Sequence, residues 1–395
     1  MRRPFFRRGL SLLVTTLLVT LLMSALLWRR GARAHLKDIY DWLRNRDTRL
    51  ELNTRPDMDR FGFDRQVLEF SRTPPVDQAV NDPESPGYTV RRGLEAKVHS
   101  SGYTYPVNIA FARDPPQDDA SPFYYVAELH GNIRYATRQG KVGTFAEGLL
   151  SFPPSEMKIS DELGISGLTL VPGTNDLIIT HPVLEVSTGL FQNALTRLHS
   201  ADGGRSCSTR ETILVLKGEA TCPSNQIQQA SFGPDAKLHV SVGDAMNFSL
   251  SRNLGRWGGK ILRMNADGTA CGDNPFYDPK EPGSPKSYVF SMGLRNSFDF
   301  VFDPSGERIW AGDVGEVLNR LVATIRGADH GWDGTPESFC RSAAYLFHDG
   351  FVPVGITLVD PRVMGDDFKD CVWVGGYSYY FGPGPGGSKR ILSFR

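Results

Sequence analysis

An excess of charge of one sign is what this sequence most plainly lacks. Among its 395 residues, Lys and Arg number 44 and Asp and Glu number 44, a formal net charge of zero. A general nucleic-acid binder shows a basic excess or a basic face, so no nucleic-acid partner is expected. Cysteine is also sparse: five residues, none in a CxxC pair. That argues against a thiolate metal site or a redox dithiol. Cys207 and Cys222 bracket the run ETILVLKGEA and could close a local loop, and Cys340 and Cys371 are a second candidate pair, leaving Cys271 odd. Connectivity stays open at this point. Glycine and proline, by contrast, are plentiful at 41 and 26. With many short alternating runs they point to turns and strands more than to long helices. The length suffices for a sizeable core, in one large domain or two.

Residues 9–28 (GLSLLVTTLLVTLLMSALLW) carry no charge and are long enough to cross a hydrocarbon core as a helix. Arg2, Arg3, Arg7 and Arg8 precede them; Arg29, Arg30 and Arg33 follow. The expectation is a signal anchor over 1–34, making a single-pass membrane protein with its remainder on the extracytoplasmic or lumenal side. A cleaved signal peptide is the competing reading, with a shorter apolar region as its mark. Translocation would put the cysteines in an oxidising space and make Asn247-Phe248-Ser249 a glycosylation sequon. Residues 35–86, polar and broken by Pro74-Pro75 and Pro86, read as a spacer; from Gly87 to Arg395 the texture changes.

Four stretches then share one grammar: an apolar strand, a turn of Pro, Gly or Asp, and a second strand ending in polar residues. They are VNIAFARDPPQDDASPFYYVAELHG (107–131), GLTLVPGTNDLIITH (167–181), QASFGPDAKLHVSVGD (229–244) and DFVFDPSGERIWAGDVG (299–315). From the second to the fourth, the turns recur about every sixty to seventy residues, a repeat period that suits a propeller blade of several strands. An irregular β-sandwich with like hairpins is the alternative.

Eight segments carry a resemblance: GNIRY (131–135), GISGLTL (164–170), FGPDAKLHVSVGD (232–244), GGKILRMNADG (258–268), GLRNSFDFVFDP (293–304), AGDVGEVLNRL (311–321), ADHGWDG (328–334) and VGGYSYY (374–380). In this order and spacing the chain resembles the soluble quinoprotein glucose dehydrogenases and the related glucose/sorbosone and aldose sugar dehydrogenases. The resemblance implies an all-β fold, a six-bladed β-propeller that binds pyrroloquinoline quinone and calcium. Residue by residue, it implies Arg295 and Asn296 at the cofactor, the arginine a fixed cation at a quinone oxygen. It implies Glu162 at the mouth of the site and Asp244 as the carboxylate that orients the base. The main-chain carbonyls of Gly315 and Glu316 would face calcium.

Two departures stand against that pattern. The base histidine of the family falls on Asn225, seven residues before Phe232, and Ile227 and Gln228 replace glycines just after it. An amide takes no proton from an alcohol near neutral pH, so a base would have to come from another histidine. His130, His181 and His330 come into view at strand ends or loops, whereas His239 alternates with Leu238 and Val240. The second departure is at the C-terminal side. After VGGYSYY the sequence runs FGPGPGGSKRILSFR, with Lys389 and Arg390 as the remnant of a basic stretch. The last blade is therefore expected to be incomplete. Two functions follow: an oxidoreductase passing hydride from a sugar hydroxyl to the quinone, or a catalytically inactive propeller that binds a sugar, a glycan or a protein partner.

Overall fold

The computed structural model describes residues 68–69, 97–113, 115–152, 162–221, 224–316, 318–347, 351–378 and 390–394. Residues 9–28, and most of the stretch read as a spacer, lie outside the described residues. Among the described residues no helix is long and apolar enough to cross a membrane.

Strands dominate, in antiparallel sets of four taken in chain order. The first sheet is β2 (Pro106–Phe111), β3 (Tyr124–Glu128), β4 (Asn132–Ala136) and β5 (Val142–Ala146). The second is β6 (Gly167–Leu170), β7 (Leu177–Glu185), β8 (Leu190–His199) and β9 (Thr209–Val215). The third is β10 (Ile227–Phe232), β11 (Leu238–Val242), β12 (Lys260–Met264) and β13 (Val289–Met292). The fourth is β14 (Ser297–Phe302), β15 (Arg308–Val314), β16 (Asn319–Ile325) and β17 (Tyr345–Phe347). The fifth is β18 (Phe351–Leu358), β19 (Val372–Ser378) and β20 (Arg390–Phe394), with β1 (Leu68–Glu69) laid on the outer edge of β20.

The expected six-bladed count is thus corrected: the described residues form an all-β propeller fold of five four-stranded sheets. The last sheet is also less depleted than its sequence suggests. Arg390–Phe394 pairs along β19 from Val372↔Phe394 to Gly376↔Arg390. Leu68 and Glu69, from within the stretch read as a spacer, supply the fourth strand. Local pairing decides this, because β20 and β1 each satisfy the main-chain groups of a neighbouring edge.

Burial shows why the sheets stack. All five residues of β11 are buried, as are those of β3 and β12. Leu238, Val240 and Val242 face the second sheet, in one cluster with Ile178 and Leu195. His239 faces the fourth, with its ring about 5 Å from those of Phe290 (5.0 Å) and Phe302 (4.9 Å). β11 and β12 are covered on both faces because their sheet lies between two others, whereas the outer face of β3, with Tyr124 and Val126, is covered by Tyr103 and Phe123. Four such cores occur: Tyr125 and Ile133 with Leu168 and Ile179, Ile178 with Val240, Ile261 and Phe290 with Ile309, and Trp310 and Leu321 with Val374. Among the described residues no apolar core joins the fifth sheet to the first. The alternate residues Tyr105, Val107, Ile109 and Phe111 of the β2 segment are instead 64, 43, 49 and 57% exposed.

The inner strands are also tied by polar side chains. Asn108 donates to Gln229 (2.9 Å) and to the carbonyl of Ser166 (3.2 Å). The Ile356 N–H donates to Asp299 at 2.9 Å. Cys207, Cys271, Cys340 and Cys371 form no disulfide, so the candidate bridge between Cys340 and Cys371 is not formed; Cys222 lies outside the described residues.

Candidate functional site

The loop 293–296 (GLRN) joins the third sheet to the fourth, and its backbone is held on every side. Gly293 has φ +78°, and a Cβ there would meet Asp329 at 2.4 Å and the Gly331 nitrogen at 2.5 Å, so no side chain fits. Gly293 N–H donates to Ser251 O (2.9 Å) and Leu294 N–H to Gly259 O (3.1 Å). The Arg295 and Asn296 N–H groups both donate to the Asp313 carboxylate, at 3.1 and 2.7 Å. Asp313 in turn faces Arg320, its register partner across β15 and β16, with Nε at 2.9 Å and Nη2 at 2.8 Å from the same carboxylate oxygen. Both side chains are completely buried.

Burying that pair is expensive unless the remaining donors are met. Arg320 meets them by donating to the carbonyls of Phe339 (2.6 Å), Gly293 (3.2 Å) and His330 (3.4 Å) and to the Ser342 hydroxyl (3.0 Å). A second buried cation, Lys260, donates to Leu250 O and Gly258 O at 2.7 Å each and to Ser251 O at 3.3 Å. Burial pulls its amine down to about 7. Arg320 thus clamps the loop that presents Arg295 and Asn296 directly, and Lys260 holds Ser251, whose carbonyl accepts the Gly293 N–H.

Asp244 lies opposite. Its main-chain N–H donates to Arg295 O at 2.8 Å. One carboxylate oxygen accepts from the Asn225 amide (2.7 Å) and from Met246 N–H (3.0 Å); the other accepts from the Trp332 indole (2.8 Å). Burial raises its pKa against the pull of these donors. Asn225 is buried with φ +55°, and its N–H donates to Glu162 at 3.3 Å. Gly243 allows this approach, since a Cβ there would fall 2.3 Å from the Asn225 carbonyl oxygen. The Asn225 amide oxygen accepts no hydrogen bond from the described residues. Burial raises the Glu162 carboxyl as well, opposed by the Asn225 N–H, Arg295 and the Ser224 hydroxyl.

Arg295 donates from Nη1 to Val314 O at 3.0 Å, whereas Nη2 has, among the described residues, the Met246 sulfur at 3.6 Å and the Glu316 carboxylate at 3.8 Å. The Asn296 side-chain oxygen accepts from Gln228 at 3.3 Å. Glu162, Asn225, Asp244, Arg295 and Asn296 therefore come together. Gly315 and Glu316 sit at the turn after β15, where Gly315 N–H donates to Asn319 at 3.0 Å and the exposed Glu316 side chain leans toward Arg295.

The donor set suits a quinone better than a metal. A guanidinium N–H without a short hydrogen bond beside a buried amide fits a group rich in acceptor oxygens. Among the described residues no group of three or more His, Cys, Asp or Glu side chains is arranged to hold a metal ion. Calcium would rest on the carbonyls of Gly315 and Glu316, with Arg295 close to the one carboxylate there.

The histidines weighed as substitutes lie elsewhere. His181 is within β7, not at its end, and pairs with the Thr196 hydroxyl at 2.8 Å. Burial lowers it to about 4, and does the same to His239. His330, buried and close to Arg320, is lowered to about 3. His130 stacks on Tyr105 at 4.9 Å. None is hydrogen-bonded to Asn225, Asp244, Glu162 or Arg295. Asp313, Arg320, Trp332 and Met246 were not singled out from sequence, although three of them stand inside the segments AGDVGEVLNRL and ADHGWDG.

Comparison with known proteins shows the family and the fold. Residues 105–339 match the family described as glucose / sorbosone dehydrogenase. Quinoprotein glucose dehydrogenase B of Acinetobacter calcoaceticus is 22% identical over 137 residues, 30% of this chain and 28% of that protein. The chain spans about a quarter of the length of the curated relatives it matches. The PQQ-bound aldose sugar dehydrogenase of Streptomyces coelicolor is similar in structure, with TM-score 0.53 and 20% identity over 76% of this chain and 96% of that one. The apo-form of the soluble aldose sugar dehydrogenase of Escherichia coli gives TM-score 0.56 and 15% identity over 76% and 98%. At these identities the likeness shows the fold.

Proposed function

Because the chain belongs to the glucose/sorbosone dehydrogenase family, we propose that it is a quinoprotein oxidoreductase of the sugar-dehydrogenase type, in which an aldose hydroxyl is received between Glu162, Asn225 and Arg295. Pyrroloquinoline quinone, when bound, would supply the hydride acceptor. Arg295 and Asn296 would hold it, with calcium at the carbonyls of Gly315 and Glu316. The supporting observation is the guanidinium of Arg295, whose main chain is fixed to Asp313 and whose Nη2 has no short partner among the described residues.

The chain's own residues then have distinct tasks. Asp244 fixes the Asn225 amide through its NH2, which leaves the amide oxygen as an acceptor for a hydroxyl hydrogen. That oxygen orients an alcohol but does not remove its proton. Loss of a positioned general base costs about 10²–10⁴ in rate. Turnover should therefore be slow, and Asn225→His should raise it by about that factor in a dye-linked oxidation assay with aldoses. An unchanged rate in a variant that still binds the quinone would remove Asn225 from the proton path.

Asn225 also favours a second reading, a propeller that binds the sugar without oxidising it. Calorimetric titration of the full chain with pyrroloquinoline quinone, with and without calcium, separates the two. Binding abolished by Arg295→Ala supports the oxidoreductase; a folded chain that binds sugar but no quinone supports the binder. We further propose that residues 9–28 anchor the chain with the propeller on the extracytoplasmic side. Protease accessibility in intact membranes tests this, and a propeller protected from external protease in sealed, right-side-out vesicles would overturn it.

A further inference from the structure

The segment that follows Asp244 has a use that the polar cluster leaves unexplained. Ala245 and Met246 are consecutive residues with φ +51° and +60°, and Asn225, hydrogen-bonded to the same segment, has φ +55°. Half of the non-glycine residues with positive φ among the described residues therefore meet at this site: three of Tyr105, Asn225, Ala236, Ala245, Met246 and Asp370. Left-handed backbone at an ordinary residue is unfavourable and persists where neighbouring contacts impose it. Here the contacts are Ala245 N–H to Asn225 O (3.1 Å), Met246 N–H to the Asp244 carboxylate (3.0 Å) and Asn247 N–H to Asp244 O (2.8 Å).

The result of this fixed backbone is two apolar side chains left in solvent at the rim of a buried polar cluster. Met246 is 55% exposed and Phe248 52%. The Met246 sulfur lies 3.6 Å from Nη2 of Arg295. The Phe248 ring lies on the backbone of Gly334, where a Cβ would meet it at 2.7 Å. Gly334 is two residues beyond Trp332, whose indole holds the other oxygen of Asp244. Met246 thus lies against Arg295, and Phe248 lies against the loop that carries Trp332. Asn247 between them faces inward to its own turn, its side-chain oxygen accepting from the Ser249 N–H and hydroxyl at 3.2 and 2.7 Å.

We infer that Met246 and Phe248 form a specificity-determining lip that receives an aromatic or other apolar substituent on the sugar. The inference rests on the reading of the cluster as a sugar site and adds the class of ligand. A thioether and a phenyl ring both pack favourably on an aromatic group, and a ligand covering them removes apolar surface from water. The polar cluster would take the hydroxyls while the lip takes the substituent.

The test uses glucose and its mono-O-benzyl ethers with the C1 hydroxyl free, titrated against the full chain. At least one ether should bind about tenfold more tightly than glucose. In Met246→Ala and Phe248→Ala the ratio of the two dissociation constants should fall toward one, and Phe248→Tyr should retain the preference. Circular dichroism of each variant, matching that of the parent, confirms that the loop change leaves the fold intact. If glucose binds and no ether binds more tightly, the lip is overturned and the sugar site stands. A preference that survives both alanine variants also overturns the lip. If the parent binds neither glucose nor any ether, the sugar reading falls and the lip falls with it.

Discussion

Asn225 and Asp244 form the residue pair on which the chemistry turns. The amide is held by its NH2 at 2.7 Å, and Asp244 has donors on both oxygens. A histidine at 225 would restore a group whose charge changes near neutral pH and whose cation Asp244 could stabilise. Asp244→Asn should act differently from Asn225→His. It removes the charge that accepts Asn225, Met246 and Trp332 together, so it should weaken sugar binding and alter Trp332 fluorescence, with a stability loss of about 1–3 kcal/mol read by denaturant titration. An unaltered tryptophan spectrum would show that the Asp244–Trp332 contact is not formed in solution.

At the scale of elements, the loop 293–296 is rigid because β15 and β16 place Asp313 opposite Arg320. Removing one member of a buried ion pair leaves the other charge unmet and costs about 3–5 kcal/mol. Asp313→Asn should therefore destabilise the chain by that order, and quinone affinity should drop further than stability alone accounts for, because the one remaining oxygen cannot serve both Arg320 and the N–H groups of Arg295 and Asn296. Arg320→Lys should recover part of the stability loss of Arg320→Ala and little of the loop geometry, since an ammonium lacks the planar fork that reaches Asp313, Gly293 and Phe339 at once. These two residues are both visible in AGDVGEVLNRL, yet nothing in a one-dimensional segment says that they face each other. The GLRN motif itself was legible through the family resemblance, which set Arg295 and Asn296 at the cofactor, and the left-handed turn at Gly293 came only with the structure.

For the molecule as a whole, the sheets differ in what covers them. Ile133 is fully buried between the first two sheets, whereas Ile109 on β2 is half exposed. Ile133→Ala should cost about 2–5 kcal/mol, and Ile109→Ala less than about 1 kcal/mol in the isolated chain. Equal losses would mean that the β2 face is covered in solution. A pH dependence also belongs to this scale. Asp299 links the fourth and fifth sheets; part of the residue reaches solvent, but its carboxylate accepts from the N–H groups of Ile356 and Phe300. Burial pushes its pKa up to about 7. An acid whose native pKa is raised contributes stability that is present below its unfolded value and is lost as pH rises through the native one. The melting temperature should therefore fall between about pH 4 and pH 7 and level off above, and Asp299→Asn should flatten that fall, as calorimetry at a series of pH values would show.

The sequence by itself determined the β architecture and the identities of Glu162, Asn225, Asp244, Arg295 and Asn296 as one candidate group. Those features are written locally, in alternating strands, in turns such as Phe232-Gly233-Pro234-Asp235, and in motifs that keep a fixed order. Tertiary structure alone decided that the described residues form five sheets in place of six, and that the fifth takes its fourth strand from β1, which lies far from β20 along the chain. It also decided that Arg320, Lys260 and Trp332 brace the site and that Met246 and Phe248 rim it. Each of these depends on which strands lie side by side and which carbonyls a buried cation can reach. Such contacts are set by packing between distant segments, where local pattern carries no information.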